Sequence, residues 1–383
     1  MVHPNRPFIR AVGMMIGAIV GAGVFGLPFA FAQSGFALGL LELLFLGGLL
    51  VTLQLMLGEV AVQTPGHHRL VNYVRIYIGP FWKWVTLIAL GLGVWGAMLA
   101  YMVIGGTFLH LLLSPLLGGE IAVYSYAIGI IASLLIFGGL GFASKIEYWI
   151  VGALLLLFSV IILGSIPQIE LTHYTTLDVS HAFLPYGVIL FSLAGMGIVP
   201  ELKDVLGTKH KREMSRVIVT SMAIILSIYA LFSFAVVGVT GAETTMTAFD
   251  GLVPHLGETF RIAASLLGSI TILSIFMVLG IELLNTFKFD FNVPHRLAWL
   301  LVCGVPITLF AIGMREFIDI IGFVGGVFGG VLGILVALSY WSMRRQGLCK
   351  QHHCINFPAP LTWLIIIIFS GGIAWEVYTS LIQ

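Results

Sequence analysis

Apolar residues fill this chain in blocks of about 20, the length of helix that crosses the hydrocarbon core of a bilayer. Eleven such blocks predict helices over Phe8–Gln33, Phe36–Val62, Phe81–Leu113, Ile121–Phe142, Ile146–Ile166, Ala182–Leu206, Ser215–Val239, Phe260–Leu284, Pro294–Met314, Phe317–Met343 and Pro360–Ile382. The fold class expected is therefore all-α and integral to the membrane, in a single transmembrane domain. The amphipathic stretch His67–Ile78, with Arg69, Tyr73, Arg75 and Tyr77, reads as a short helix lying along the interface. The stretch Gly241–Gly257 reads as an outer loop able to act as a lid.

Two of the blocks carry their own interruption. The first contains GAIVGAGVFGLPF (17–29) and the sixth FSLAGMGIVPEL (191–202), each a Gly-x-Gly followed by proline. Inside lipid every N–H and C=O that leaves a helix needs another partner, at a cost of several kcal/mol if it finds none, so a break of this kind marks a site. Five crossings separate the two breaks, and the segments that hold them run in opposite directions. That is a five-plus-five inverted repeat with discontinuous helices 1 and 6, its repeats at about 8–170 and 180–343 and an added helix at about 360–382.

Charge settles the expected orientation. Of the 18 lysines and arginines, all but Arg261 and Arg315 fall on one side if the N-terminus is cytoplasmic, as the positive-inside rule requires. Losing one crossing would scramble that partition. The N-terminus is expected inside and the C-terminus outside, in a multi-pass protein of the cell (plasma) membrane whose first block is a retained helix rather than a signal peptide. Only 9% of residues are charged and mean hydropathy is +1.07. A net charge of +1 gives no basis for binding nucleic acid. Three cysteines are too few for a disulfide framework.

The motif GAIVGAGVFGLPFAFAQSG resembles the opening of the amino acid/auxin permeases and of the bacterial aromatic and hydroxy amino acid permeases. GMGIVPEL of the sixth block and GFVGGVFGGVLG of the tenth are similar to the same group. The resemblance implies the fold of the amino acid, polyamine and organocation superfamily, with sodium- or proton-driven uptake of an amino acid. It favours an aromatic or hydroxy side chain on the substrate.

The residues point the same way. Unwinding at Gly21, Ala22 and Gly23 frees N–H groups at the start of a half-helix, where the dipole favours a carboxylate. Carbonyls around Gly195 and Met196, before Pro200, favour an ammonium. Phe25, Phe191, Ser192, Ala194 and Met196, with Tyr101 or Trp95 from the third block, would supply the side-chain wall. No lysine, arginine or aspartate lies deep in either break, so a neutral amino acid fits better than a charged one. The bland alternatives are a packing ridge of Gly13, Gly17 and Gly21, and a merely kinked sixth helix.

A coupling cation would take carbonyls of Ala18 and Gly21 with hydroxyls of Thr271 and Ser274, spaced i and i+3 on the eighth block. The resemblance places a sodium site between these two segments. Some relatives replace it with a lysine of the fifth segment and run on protons, but here that segment offers only Lys145 at its start. Sodium is preferred and H⁺ stays open; no other cofactor is expected. Glu42 is a candidate proton carrier if it does not simply snorkel outward. Glu59, Glu201 and Glu282 are expected to form gate pairs with Lys203, Arg10 or Arg296. Cys349, His352, His353 and Cys354 read as an ordinary reduced cytoplasmic loop, although four ligand types stand there. The expectation is an ion-coupled secondary transporter, monomeric or weakly oligomeric. An ion or small-solute channel is the alternative, and no enzyme motif is present.

Overall fold

The computed structural model describes residues 6–138, 143–207, 213–348 and 354–382, and every regular element among them is helical. Each apolar block coincides with a helix or a pair of helices. The first is split into α1 (Arg6–Ile19) and α2 (Gly23–Ser34), bent by 59°. After it come α3 (Phe36–Gln63), the short α4 (Leu70–Tyr77), α5 (Pro80–Leu117), α6 (Ile121–Phe137) and α7 (Ala143–Ser165). The sixth block is split into α8 (Leu184–Ser192) and α9 (Val199–Leu206). The chain continues through α10 (Met214–Thr240), α11 (Phe249–Asn285) and α12 (His295–Ala311). In the tenth block α13 (Phe317–Phe323) and α14 (Gly330–Arg345) are joined by a π-helical turn, Val324–Gly329, and α15 (Ala359–Ile382) follows. Among the described residues six helical runs are long and apolar enough to cross a bilayer alone, and the bent α1–α2 pair makes a seventh.

The breaks fall where a helix is costly to continue. Glycine in a helix interior is worth about 1 kcal/mol less than alanine, and the proline inside α2, Pro28, has no N–H for the ladder. Pro185 and Pro200 sit instead in the first turns of α8 and α9, where a fixed φ suits a helix start and no N–H is needed.

Two expectations are corrected. The lid is helical: residues 249–256 form the beginning of α11, and the chain then turns at Gly257, φ +83°, a left-handed value glycine tolerates. The interfacial helix is shorter than expected because the chain turns at Gly66, φ +84°, and is still extended at Arg69, so α4 begins only at Leu70. It buries Leu70, Tyr73, Val74 and Tyr77 and leaves Arg75 exposed. Tyr77 ties it in place, its hydroxyl 2.8 Å from Thr64 Oγ1 and its carbonyl accepting from Ser342 at 2.6 Å.

The four half-helices meet in pairs, α2 on α8 and α1 on α9, with α3 and α10 closing the group; α5 and α11, with α6 and α12, form a second group beside it. The glycines of the tenth block pack backbone on backbone. A β-carbon on Gly325 would stand 2.1 Å from the Gly187 carbonyl oxygen, and one on Gly187 2.1 Å from that of Gly322. This contact fixes α8, and with it one side of the site.

Candidate functional site

Residues 20–22 fill the gap between α1 and α2, and residues 193–198 the gap between α8 and α9. No side chain caps α2 or α9. Among the described residues the N–H groups of Gly21, Ala22, Gly195, Met196 and Gly197 donate to no acceptor. Five donors without partners are thus gathered at two helix ends, where the backbone dipoles are also uncompensated.

The gaps face one another at close range. A β-carbon on Gly23 would stand 2.6 Å from both Cα and Oγ of Ser192, and one on Gly195 2.4 Å from the Ile19 side chain. The lack of a side chain is what permits each approach. Tyr101 of α5 completes this region: its hydroxyl lies 3.4 Å from the β-carbon position of Gly21, and its ring meets that of Phe191 at 6.3 Å. The structure therefore brings Gly21, Gly23, Tyr101, Phe191, Ser192 and Gly195 together. Met196 is buried beside them, and the Ser192 hydroxyl bonds back to the Val188 carbonyl at 2.7 Å. Trp95 is engaged elsewhere, stacked on Phe287 at 6.1 Å.

Two faces of the breaks differ. Phe25 has no exposed surface; its ring meets those of Phe108 at 5.2 Å and Phe249 at 5.0 Å, with Phe158 and Phe232 behind. Phe249 begins α11, in the stretch expected to act as a lid, and aromatic packing closes the α2 side. On the α1 and α9 side Ala18, Ala194 and Gly197 are exposed, and Gly21 and Gly195 partly so.

Two polar residues that the sequence reading passed over belong here. The buried Tyr229 hydroxyl of α10 donates to the Ser192 carbonyl at 3.0 Å and reaches the Ile19 carbonyl at 3.3 Å. These are the last carbonyls of α8 and α1, so one hydroxyl serves both helix ends. Gln54 of α3 is fully buried, with both amide atoms unpartnered, and its Nε2 lies 3.3 Å from the β-carbon position of Gly195. A lone amide in the middle of a 28-residue apolar helix is a signal in itself.

For a cation, Thr271 and Ser274 are both buried on α11, and Ile275 of that helix lies 3.6 Å from the β-carbon position of Gly21. Neither hydroxyl bonds back to its own helix, whereas those of Thr86, Thr107 and Ser192 do. Hydroxyl and carbonyl oxygens suit a small hard cation, and these hydroxyls are not already committed.

The ion pairs near the α9 end differ from those expected. Arg69 pairs with Glu201 and lies 4.0 Å from Glu282, while His67 Nδ1 is 2.6 Å from Asp204. Lys203 donates instead to the carbonyls of Thr64 and Gly66, both at 2.7 Å. The turn after α3 carries Arg69 over α9, which is why it takes the partner expected for Lys203, Arg10 or Arg296. Glu59 is held by the Ile355 backbone and Gln63, and Glu42 is half-buried in α3. Cys349, His352 and His353, and with them most of the reduced loop expected, lie outside the described residues. No cluster of metal-ligating side chains occurs among the described residues.

Residues 5–382 match the family described as "Transmembrane amino acid transporter protein". A protein named tyrosine-specific transport system 1, from Haemophilus influenzae, is 24% identical over 354 residues, 87% of each chain. Amino acid transporter AVT3B of Arabidopsis thaliana is 26% identical across 96% of this chain and 92% of that one. Among solved structures, MhsT in complex with L-phenylalanine has a TM-score of 0.69 at 16% identity, covering 98% of both chains, and so shares the fold. The broken helices, their facing gaps and the match over nearly the whole length lead to one assignment: the chain belongs to the transmembrane amino acid transporter protein family.

Proposed function

We propose that this chain is an ion-coupled symporter that imports a neutral, aromatic or hydroxy amino acid across the plasma membrane by alternating access. The observation that carries the reading is the set of unpartnered N–H groups at 21–22 and 195–197, lying where no charged side chain intervenes. The substrate carboxylate takes the N–H groups at the start of α2, and its ammonium takes carbonyls near the end of α8. Tyr101, Phe191 and Met196 line the side-chain wall, and Phe25 backs it. Support for an aromatic substrate comes from the tyrosine-specific relative and from the phenylalanine bound to MhsT.

In this reading the N-terminus, α4 and the Arg69–Glu201 pair face the cytoplasm and the Phe25–Phe249 seal faces outside, which the positive-inside distribution supports. Access is then from the inner face, along the exposed side of α1. In the cycle the group of α1, α2, α3 and α8–α10 rocks against α5, α6, α11 and α12, opening the aromatic seal as the inner side closes.

Sodium binds, in this reading, between the carbonyls of Ala18 and Gly21 and the hydroxyls of Thr271 and Ser274. Uptake into proteoliposomes under separate sodium and proton gradients, with unlabelled amino acids as competitors, tests both ion and substrate. Thr271→Val with Ser274→Ala is expected to raise the sodium concentration for half-maximal uptake by at least about tenfold, since even one contact to a charged group contributes about 1.5–3 kcal/mol. Full uptake on a proton gradient without sodium would refute sodium coupling. Non-saturating flux that ignores both gradients would replace the carrier with a channel.

The inner ion pair gives a smaller effect. Arg69 is two-thirds exposed, and pairs of this kind are worth about 1 kcal/mol or less. Arg69→Ala is therefore expected to lower the maximal uptake rate by about two- to fivefold with KM unchanged. Initial rates in proteoliposomes check this, and a wild-type rate would remove Arg69 from the gate.

A further inference from the structure

At the opposite end of the bundle from Arg69, a cavity of about 470 Å³ opens between α5, α6 and α12. Val103 and His110 of α5, Glu120 just before α6, Ser125 of α6, Phe310 of α12 and Arg315 in the turn after α12 line it. Its volume falls in the range of small-ligand pockets. His110 is nine residues beyond Tyr101, about 13 Å along the helix, so the charged end of this space is remote from the breaks, while Val103 at its apolar end is two residues from Tyr101.

The lining is chemically two-sided. Glu120 and Arg315 share the walls, yet neither belongs to an ion pair among the described residues. The Arg315 guanidinium is nonetheless positioned: its Nε donates to the Phe310 carbonyl at 3.3 Å, and its Cζ stands 5.0 Å over the Phe310 ring. Its terminal nitrogens have no acceptor among the described residues. The Ser125 hydroxyl, on a residue only 1% exposed, is buried without a partner. A simple anion would satisfy Arg315 and be repelled by Glu120, and a simple cation the reverse. A ligand that carries both charges answers both walls.

We propose that this cavity is a second, peripheral binding site for a free zwitterionic α-amino acid, with the carboxylate on Arg315, the ammonium on Glu120 and the side chain against Phe310 and Val103. The His110 ring packs on that of Tyr124 at 5.3 Å and forms the inner wall of the cavity. The proposal rests on the amino acid reading only for its choice of ligand.

Equilibrium dialysis of the purified protein with radiolabelled L-phenylalanine tests it. Wild type is expected to bind two equivalents, and Arg315→Gln combined with Glu120→Gln one. 3-Phenylpropionate and phenethylamine, each lacking one of the two charges, should fail to displace the second equivalent. Both substitutions are at exposed positions, and an unchanged melting temperature separates site loss from unfolding; if the double variant melts early, Glu120→Gln alone is used with the same expectation. Equal stoichiometry in wild type and a stably folded variant overturns the proposal, as does displacement by phenethylamine. Displacement by phosphatidylethanolamine vesicles but not by phosphatidylcholine vesicles assigns the cavity to a lipid headgroup and also overturns it. Failure of the central site looks different: wild type then binds one equivalent and the variant none.

Discussion

Gly23→Ala is expected to reduce uptake by about a hundredfold, the scale of loss that a misplacement of about 1 Å produces at a site requiring exact geometry. The added methyl would stand 2.6 Å from the Ser192 Cα, which is backbone and cannot turn aside, so α2 and α8 must separate. That moves the freed N–H groups of one gap away from the carbonyls of the other. Gly195→Ala is expected to be milder, about tenfold, because the atoms it meets belong to the Ile19 side chain, which can change rotamer at a cost of about 1 kcal/mol. Gly23→Leu and Gly195→Leu should abolish uptake outright. Gly48→Ala, where the new methyl meets nothing within 4 Å, is the control and should transport normally. Initial uptake rates, normalised to protein inserted in the membrane, check the order. Wild-type transport by Gly23→Ala would sink the assignment of the site to the facing gaps.

The helices and both breaks were legible because their causes are local. Blocks of apolar residues set the spans, and Gly-x-Gly with a nearby proline sets the breaks, so every block has a helix or helix pair. What closes the site was not legible, because it comes from residues remote in sequence. Phe25 meets Phe108, Phe158, Phe232 and Phe249 from four other helices, and in a chain with 27 phenylalanines no local pattern selects those four. Arg69 was placed on an interfacial helix rather than opposite Glu201, 132 residues away, because its position depends on the turn at Pro65 and Gly66. Gln54 is the exception: it is a polar amide in the apolar middle of α3, with Glu42 and Glu59 nearer its two ends, and that position alone marks it.

Tyr229 shows the same limit, and its substitution carries the other large expected effect. Tyr229→Phe keeps the ring and removes one oxygen, leaving the terminal carbonyls of α1 and α8 buried without that donor. An unsatisfied buried group costs about 1–3 kcal/mol, equivalent to roughly 5- to 150-fold in a rate or equilibrium constant. The loss should fall on maximal rate more than on KM, since Tyr229 has no exposed surface and holds the two repeats in register rather than touching substrate. A merely structural role would lower the melting temperature and leave the cycle of folded molecules intact. Labelling at Ala18→Cys separates the two, because Ala18 is exposed on the open side of the first break. Saturating amino acid should slow that labelling in the parent protein and have little effect once Tyr229→Phe is added, if the hydroxyl couples the gap in one repeat to the gap in the other. Substrate protection and maximal rate both at parental levels would leave Tyr229 as packing alone.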